Sequence, residues 1–110
     1  MGKIRLLKDE ERKLLAALIA GTPRAPQLLA SLPGCFVEEM NDGGMGSIRF
    51  CLRSDRPRRL GEQLAEREFA DQDGVPVIIA LNLDDRGELY ELDVWKVDFS
   101  PLQRFPSVIK

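Results

Sequence analysis

The apolar positions of this chain change period once. Between residues 9 and 32 they recur at helical spacing, and from residue 35 to 99 they alternate. Leu14, Leu15, Leu18 and Ile19 form one stripe. Asp9, Glu10 and Glu11 precede it, where a helix dipole favours negative charge, so a helix is predicted to start near Asp9 as N-cap and to end at Gly21. Thr22-Pro23 breaks the chain. A short second helix follows, with Pro26 near its first position, Leu28, Leu29 and Leu32 turned inward, and Pro33-Gly34 closing it. Residues 1–8 alternate loosely and are expected to be an extended arm.

The alternating region is punctuated by turns. Residues 35–40 and 47–53 are predicted strands joined by Asn41-Asp42-Gly43-Gly44-Met45-Gly46. A hairpin symmetric about Gly43 sets Cys35 opposite Cys51 and Phe36 opposite Phe50. A third strand is expected at 63–70. The stretch LGEQLAEREFA can also be written as a helix, but Asp71-Gln72-Asp73-Gly74 follows directly and favours a hairpin. Residues 75–83 are the clearest strand, with Val75, Val77, Ile79, Leu81 and Leu83 on one face and Ile78 and Ala80 apolar on the other. Asp84-Asp85-Arg86-Gly87 is the next turn. A four-residue loop there pairs Leu81 with Tyr90, Ile79 with Leu92 and Val77 with Val94. In the last strand the apolar parity changes, from Tyr90, Leu92 and Val94 to Trp95, Val97 and Phe99, which predicts a β-bulge at Val94-Trp95 and a buried Trp95. Leu102 and Phe105 are expected to anchor the tail over the sheet. The resulting fold class is α+β, with two N-terminal helices packed on a five-stranded antiparallel meander in a single domain spanning 1–110.

Composition narrows the chemistry. The 110 residues hold no histidine, which removes the commonest general base and the commonest transition-metal ligand. Catalysis by carboxylates, lysine or arginine is not excluded, but the chain is read as more plausibly non-enzymatic. No apolar run reaches the roughly 20 residues that span a bilayer, and the start shows no apolar signal segment, so a cytoplasmic protein with no membrane association is expected. Charge is uneven. Residues 62–93 carry ten acidic and two basic side chains, a net of −8, within a chain of net −2. Such a segment repels nucleic acid and attracts a basic protein partner or cations.

Four constellations are candidates for function. Glu91 and Asp93 share the face opposite Leu92 and Val94, and Glu66 and Glu68 join them across Ile78 and Ala80 if the third strand has the matching register. Four carboxylates on one patch can hold a hard cation or act as an acid–base pair. They fit no metal-loop spacing, and a solvated face is the simpler account. Cys35 and Cys51 can be a bridged pair, a redox pair or two small buried hydrophobes. Without a signal segment they are expected to stay reduced, and there is no CxxC motif. Arg53, Arg56, Arg58 and Arg59 can meet phosphate, but no aromatic platform adjoins them. The Gly-rich loop, with Glu38, Glu39, Asp42 and Met45, lacks the ending of a phosphate loop; Asp42 and Met45 are candidate partner contacts. No cofactor is expected, and nothing sets an oligomeric state.

The stretches VEEMNDGGMGSIRF at 37–50 and DGVPVIIALNLDDRGELYELDVWKVDFSPL at 73–102 resemble a family of small, mostly bacterial proteins of unknown function. Its members share an acidic-Gly hairpin and an ELD-x-WK-x-DFSPL ending. The resemblance implies an intracellular single domain and carries over no catalytic residue. Together these features lead to the expectation of a regulatory or immunity-like protein–protein interaction module using an acidic sheet face. The alternative is a small-ligand or divalent-cation binding domain.

Overall fold

A computed structural model describes residues 3–40, 46–51 and 59–105. The element order is β1 (Ile4–Leu6), α1 (Asp9–Ile19), α2 (Ala25–Ser31), β2 (Phe36–Glu39), β3 (Ile48–Phe50), β4 (Leu60–Ala70), β5 (Pro76–Asp84) and β6 (Leu89–Lys96). The fold is α+β, and the sheet is antiparallel throughout. It has six strands where the sequence pattern suggested five, because the N-terminal arm pairs with β2 through Ile4–Glu38 and Leu6–Phe36.

The sheet is not a meander. Its order is β1-β2-β3-β6-β5-β4, so β6 lies between β3 and β5 while β4 is displaced to the edge. The burial of each strand gives the reason. β6 turns Leu89, Leu92, Val94 and Lys96 inward, and β5 buries Val77, Ile79, Leu81 and Leu83. β4 is exposed along most of its length. A strand with little apolar surface to bury belongs at an edge, where its charged side chains also oppose further strand pairing. β4 is a strand, as the turn after it suggested, and it pairs with β5 from Ala65–Leu81 to Ala70–Pro76.

Two registers differ from the expected ones. In the first hairpin Val37 faces Phe50 and Glu38 faces Arg49, one residue away from the predicted pairing. The observed register buries both Val37 and Phe50 and turns Phe36 outward; a one-residue slip would reverse the face of a strand. Cys51 therefore lies opposite Phe36, to whose carbonyl it donates its N–H at 2.9 Å, and not opposite Cys35. In the last hairpin Leu81 faces Leu92 and Val77 faces Lys96. The pairing shifts between Asn82–Glu91 and Leu83–Leu89, so the extra residue is Tyr90 and the bulge sits at the turn end of β6, not at Val94-Trp95. Parity is then unbroken from Leu92 to Lys96. Trp95 points outward and is 41% exposed, while the neighbouring lysine is fully buried.

Both helices follow from local chemistry. Lys8 is the N-cap of α1, so Asp9 is its first helical residue, and Glu11 reaches back to accept the Lys8 N–H at 2.8 Å. Gly21 takes a φ of 84° just past the helix, the left-handed conformation glycine adopts without penalty. In α2, Leu28 is buried but Leu29 is on the outer side, contrary to the predicted stripe. One cluster of buried apolar side chains joins Leu14, Leu15, Leu18, Ile19, Leu28 and Leu32 of the helical region to the inward positions of the strands. Leu102 and Phe105 pack against it, as expected of the tail.

Candidate functional site

The outward positions of the sheet form three rows that bring the predicted carboxylates together. Glu66 of β4 faces Ala80 of β5, which faces Asp93 of β6. One row along, Glu68 faces Ile78, which faces Trp95. In the third row Asn82 faces Glu91, Glu91 faces Arg49, and Arg49 faces Glu38. The four acids therefore share one face across Ile78 and Ala80. They stand apart within it, because two strand spacings separate Glu66 from Asp93, about 10 Å. Glu91 is engaged: Asn82 Nδ2 donates to it at 3.2 Å, and Arg49 approaches it at 3.5 Å while lying 5.2 Å from the centre of the Tyr90 ring. Glu66, Glu68 and Asp93 are exposed, and the Ser47 hydroxyl lies 3.5 Å from Asp93 Oδ1. Among the described residues no group of three or more Cys, Asp or Glu side chains is placed to hold a metal ion.

The same face carries apolar surface. Trp95 and Val97 are exposed at the end of β6, and Phe99 beyond them is 68% exposed. The Trp95 and Phe99 rings lie 6.0 Å apart at 40°. At the opposite edge Ile4, Leu6 and Phe36 are also exposed.

Behind Trp95 lies an ion cluster that the pattern of the sequence did not suggest. Lys96 Nζ, with its side chain fully buried, lies 2.8 Å from Asp71 Oδ2 and 2.7 Å from Asp73 Oδ2. Asp71 is equally buried and accepts N–H groups from Gln103 at 2.8 Å, Arg104 at 3.0 Å and Gln72 at 2.6 Å. Burial alone would raise the Asp71 pKa; the Gln103 N–H, the Lys96 ammonium and the other backbone donors outweigh it and hold the carboxyl well below its usual range. Burial likewise works against the Lys96 charge, and hydrogen bonds to Asp71 and Asp73 reverse that effect and raise its pKa. The cluster ties the 71–74 turn, the end of β6 and the tail into one unit. Both acids looked like ordinary turn residues, and the one available signal was a lysine at an inward parity position of β6.

A second ion cluster lies at the other end of the sheet. Arg5 of β1 donates to both oxygens of buried Glu11, at 2.8 and 2.9 Å, and to Glu39 of β2 at 2.6 Å. Its pKa is raised, chiefly by the Glu11 hydrogen bond, and the Glu39 carboxyl is lowered, chiefly by Arg5. Between α2 and the β5–β6 turn lies a cavity of about 480 Å³. Arg24, Gln27, Phe36, Phe50, Glu88 and both half-buried cysteines are among its lining residues. Asp42, Met45, Arg53, Arg56 and Arg58 lie outside the described residues; Arg59 is exposed just before β4.

Residues 4–106 match the family described as a domain of unknown function, DUF6984, and the chain belongs to that family. No curated protein and no solved structure matches it. Among the described residues no helix is long and apolar enough to cross a membrane.

Proposed function

We propose that this chain is a non-catalytic cytoplasmic interaction module that meets a basic protein partner through the outer face of its sheet. In this reading the two helices close one face and leave the other for the partner, as a regulatory or immunity-like protein requires. The carrying observation is the juxtaposition of Glu66, Glu68 and Asp93 with exposed Trp95 on one face of the strands. Acidic side chains steer a basic surface into place, and an exposed aromatic supplies the apolar contact that interfaces favour. The test is retention of partners from native lysate by the chain and by a Glu66→Lys, Glu68→Lys, Asp93→Lys variant, across a salt series. A partner held at low salt, released as salt rises and lost in the variant supports the reading. Equal retention by both proteins overturns it.

The cavity beside α2 favours a second reading, a small-ligand domain. Its volume is within the range of small-molecule sites, and Arg24 and Glu88 supply charge at an otherwise partly apolar wall. Thermal shift separates the readings: stabilisation by a small-molecule panel supports the cavity, whereas no stabilisation by millimolar Ca²⁺, Mg²⁺ or Mn²⁺ removes the divalent-cation version.

A further inference from the structure

The end of β6 places its aromatic side chains where they bury little. Phe99 has a φ of 62°, a left-handed backbone conformation that a non-glycine residue seldom adopts, yet the residue is 68% exposed. A set of polar contacts fixes the backbone around it. The Phe99 N–H donates to the Lys96 carbonyl at 2.8 Å, Asp98 accepts the Ser100 N–H and hydroxyl, and Lys96 is clamped from behind by Asp71 and Asp73. The backbone thus holds Phe99 beside Trp95 as an outward-facing aromatic pair.

From this pair, and resting on the acidic-face reading, we infer that Trp95 and Phe99 seat an arginine side chain of the basic partner, with Glu68 receiving its guanidinium. The row Trp95–Ile78–Glu68 has the required order. The aromatic pair lies at one end, half-buried Ile78 in the middle and an exposed carboxylate at the other. The strand spacing puts the ends about 10 Å apart, so an extended arginine stem can lie on Ile78 between ring and carboxylate. The apolar stem packs on the aromatic pair and Ile78, and Glu66 and Asp93 in the neighbouring row reinforce the negative sign at the end that receives the guanidinium. Arginine fits better than lysine because its planar guanidinium pairs a carboxylate through two N–H groups, where an ammonium is a point charge. An anionic ligand meets repulsion from every acid in these two rows.

Trp95 is the sole tryptophan of the chain, so its fluorescence reports on the seat directly. The experiment titrates the full chain with dye-labelled nona-arginine and nona-lysine at low and high salt, reading peptide anisotropy and Trp95 emission together. Expected results are tighter binding of nona-arginine, a change in Trp95 emission with it, and at least a tenfold loss of affinity in Trp95→Ala. Smaller losses are expected in Phe99→Ala and Glu68→Gln, with thermal midpoints close to the parent. No binding of either peptide overturns both this inference and the acidic face. Binding that is undiminished in Trp95→Ala and silent in Trp95 emission keeps the acidic face and overturns the aromatic seat. Equal affinity and equal emission change with nona-lysine overturns the choice of arginine.

Discussion

Two adjacent residues of β6 exchange the places their chemistry suggests. Lys96 is fully buried against Asp71 and Asp73, and Trp95 beside it is 41% exposed over Ile78. The difference shows that alternation, not residue type, decides the face. Once Leu92 and Val94 are inward, Lys96 must be inward too, and the fold supplies it with two carboxylates. A charge removed from water is tolerated only when paired and hydrogen-bonded. The two faces should therefore respond to mutation in opposite ways: the inner one in stability, the outer one in binding.

The largest effect is expected from Asp71→Ala. It takes one of the two carboxylates from a buried ammonium and strips the Gln103 and Arg104 N–H groups of their acceptor. Chemical denaturation should show a loss at least as large as that of the yardstick Leu92→Ala, which should cost about 2–5 kcal/mol. A smaller loss than the yardstick would mean that the cluster contributes little. Next is Ser47→Ala. The Ser47 hydroxyl accepts the Val94 N–H at 2.8 Å and donates to the Val94 carbonyl at 3.2 Å, joining β3 to β6 beyond their last backbone pair. Leaving that buried N–H unsatisfied should cost about 1–3 kcal/mol, measured in the same way.

Acidity tests the inner face as a whole. The Asp71 pKa is lowered by folding, so its contribution is present above the unfolded value of about 3.9 and is lost as pH falls toward the folded one. The Lys96 pKa is raised by folding, so its contribution is complete below about 10.4 and is lost as pH rises through the folded value. Thermal midpoints across pH should form a plateau between these limits. In Asp71→Ala the acid-side decline should be shallower. The smallest effect on stability belongs to the outer face: Trp95→Ala should change it by less than about 1 kcal/mol. The emission maximum of Trp95 should move little on unfolding, and a strong red shift would contradict its exposure.

How far the sequence could be read depended on how much each element encodes by itself. The two helices, the three turns and strands β4 and β5 have local signals: capping acids, Gly at positive φ, period-two apolar runs. β1 has only three residues and a weak alternation, so it reads as an arm until its partner β2 is known. Strand order and register are non-local. That β6 pairs with β3 depends on comparing its buried side chains with those of β4, and the bulge at Tyr90 depends on where Lys96 is accommodated. The candidate face was partly visible. Glu66, Glu68, Glu91 and Asp93 do share a side of the sheet, but Trp95 lies on that side and not in the core, because the face of a β6 residue is set by the parity of Leu92 and Val94 and not by its aromatic character. The pairing of Asp71 and Asp73 has no local signal, because their shared cation lies 25 and 23 residues further along.

The strand order also has a consequence for the ribosome. β3 gains its second neighbour only when β6, the last strand, is made. The Lys96 cluster needs residues 71 to 104 together. Until residues 89–96 are made, the β1-β2-β3 segment therefore keeps an open edge at β3, and contacts so distant in sequence form slowly. The two halves of the sheet join only through β6, which leaves the nascent segment exposed to aggregation and proteolysis until residues 89–104 emerge.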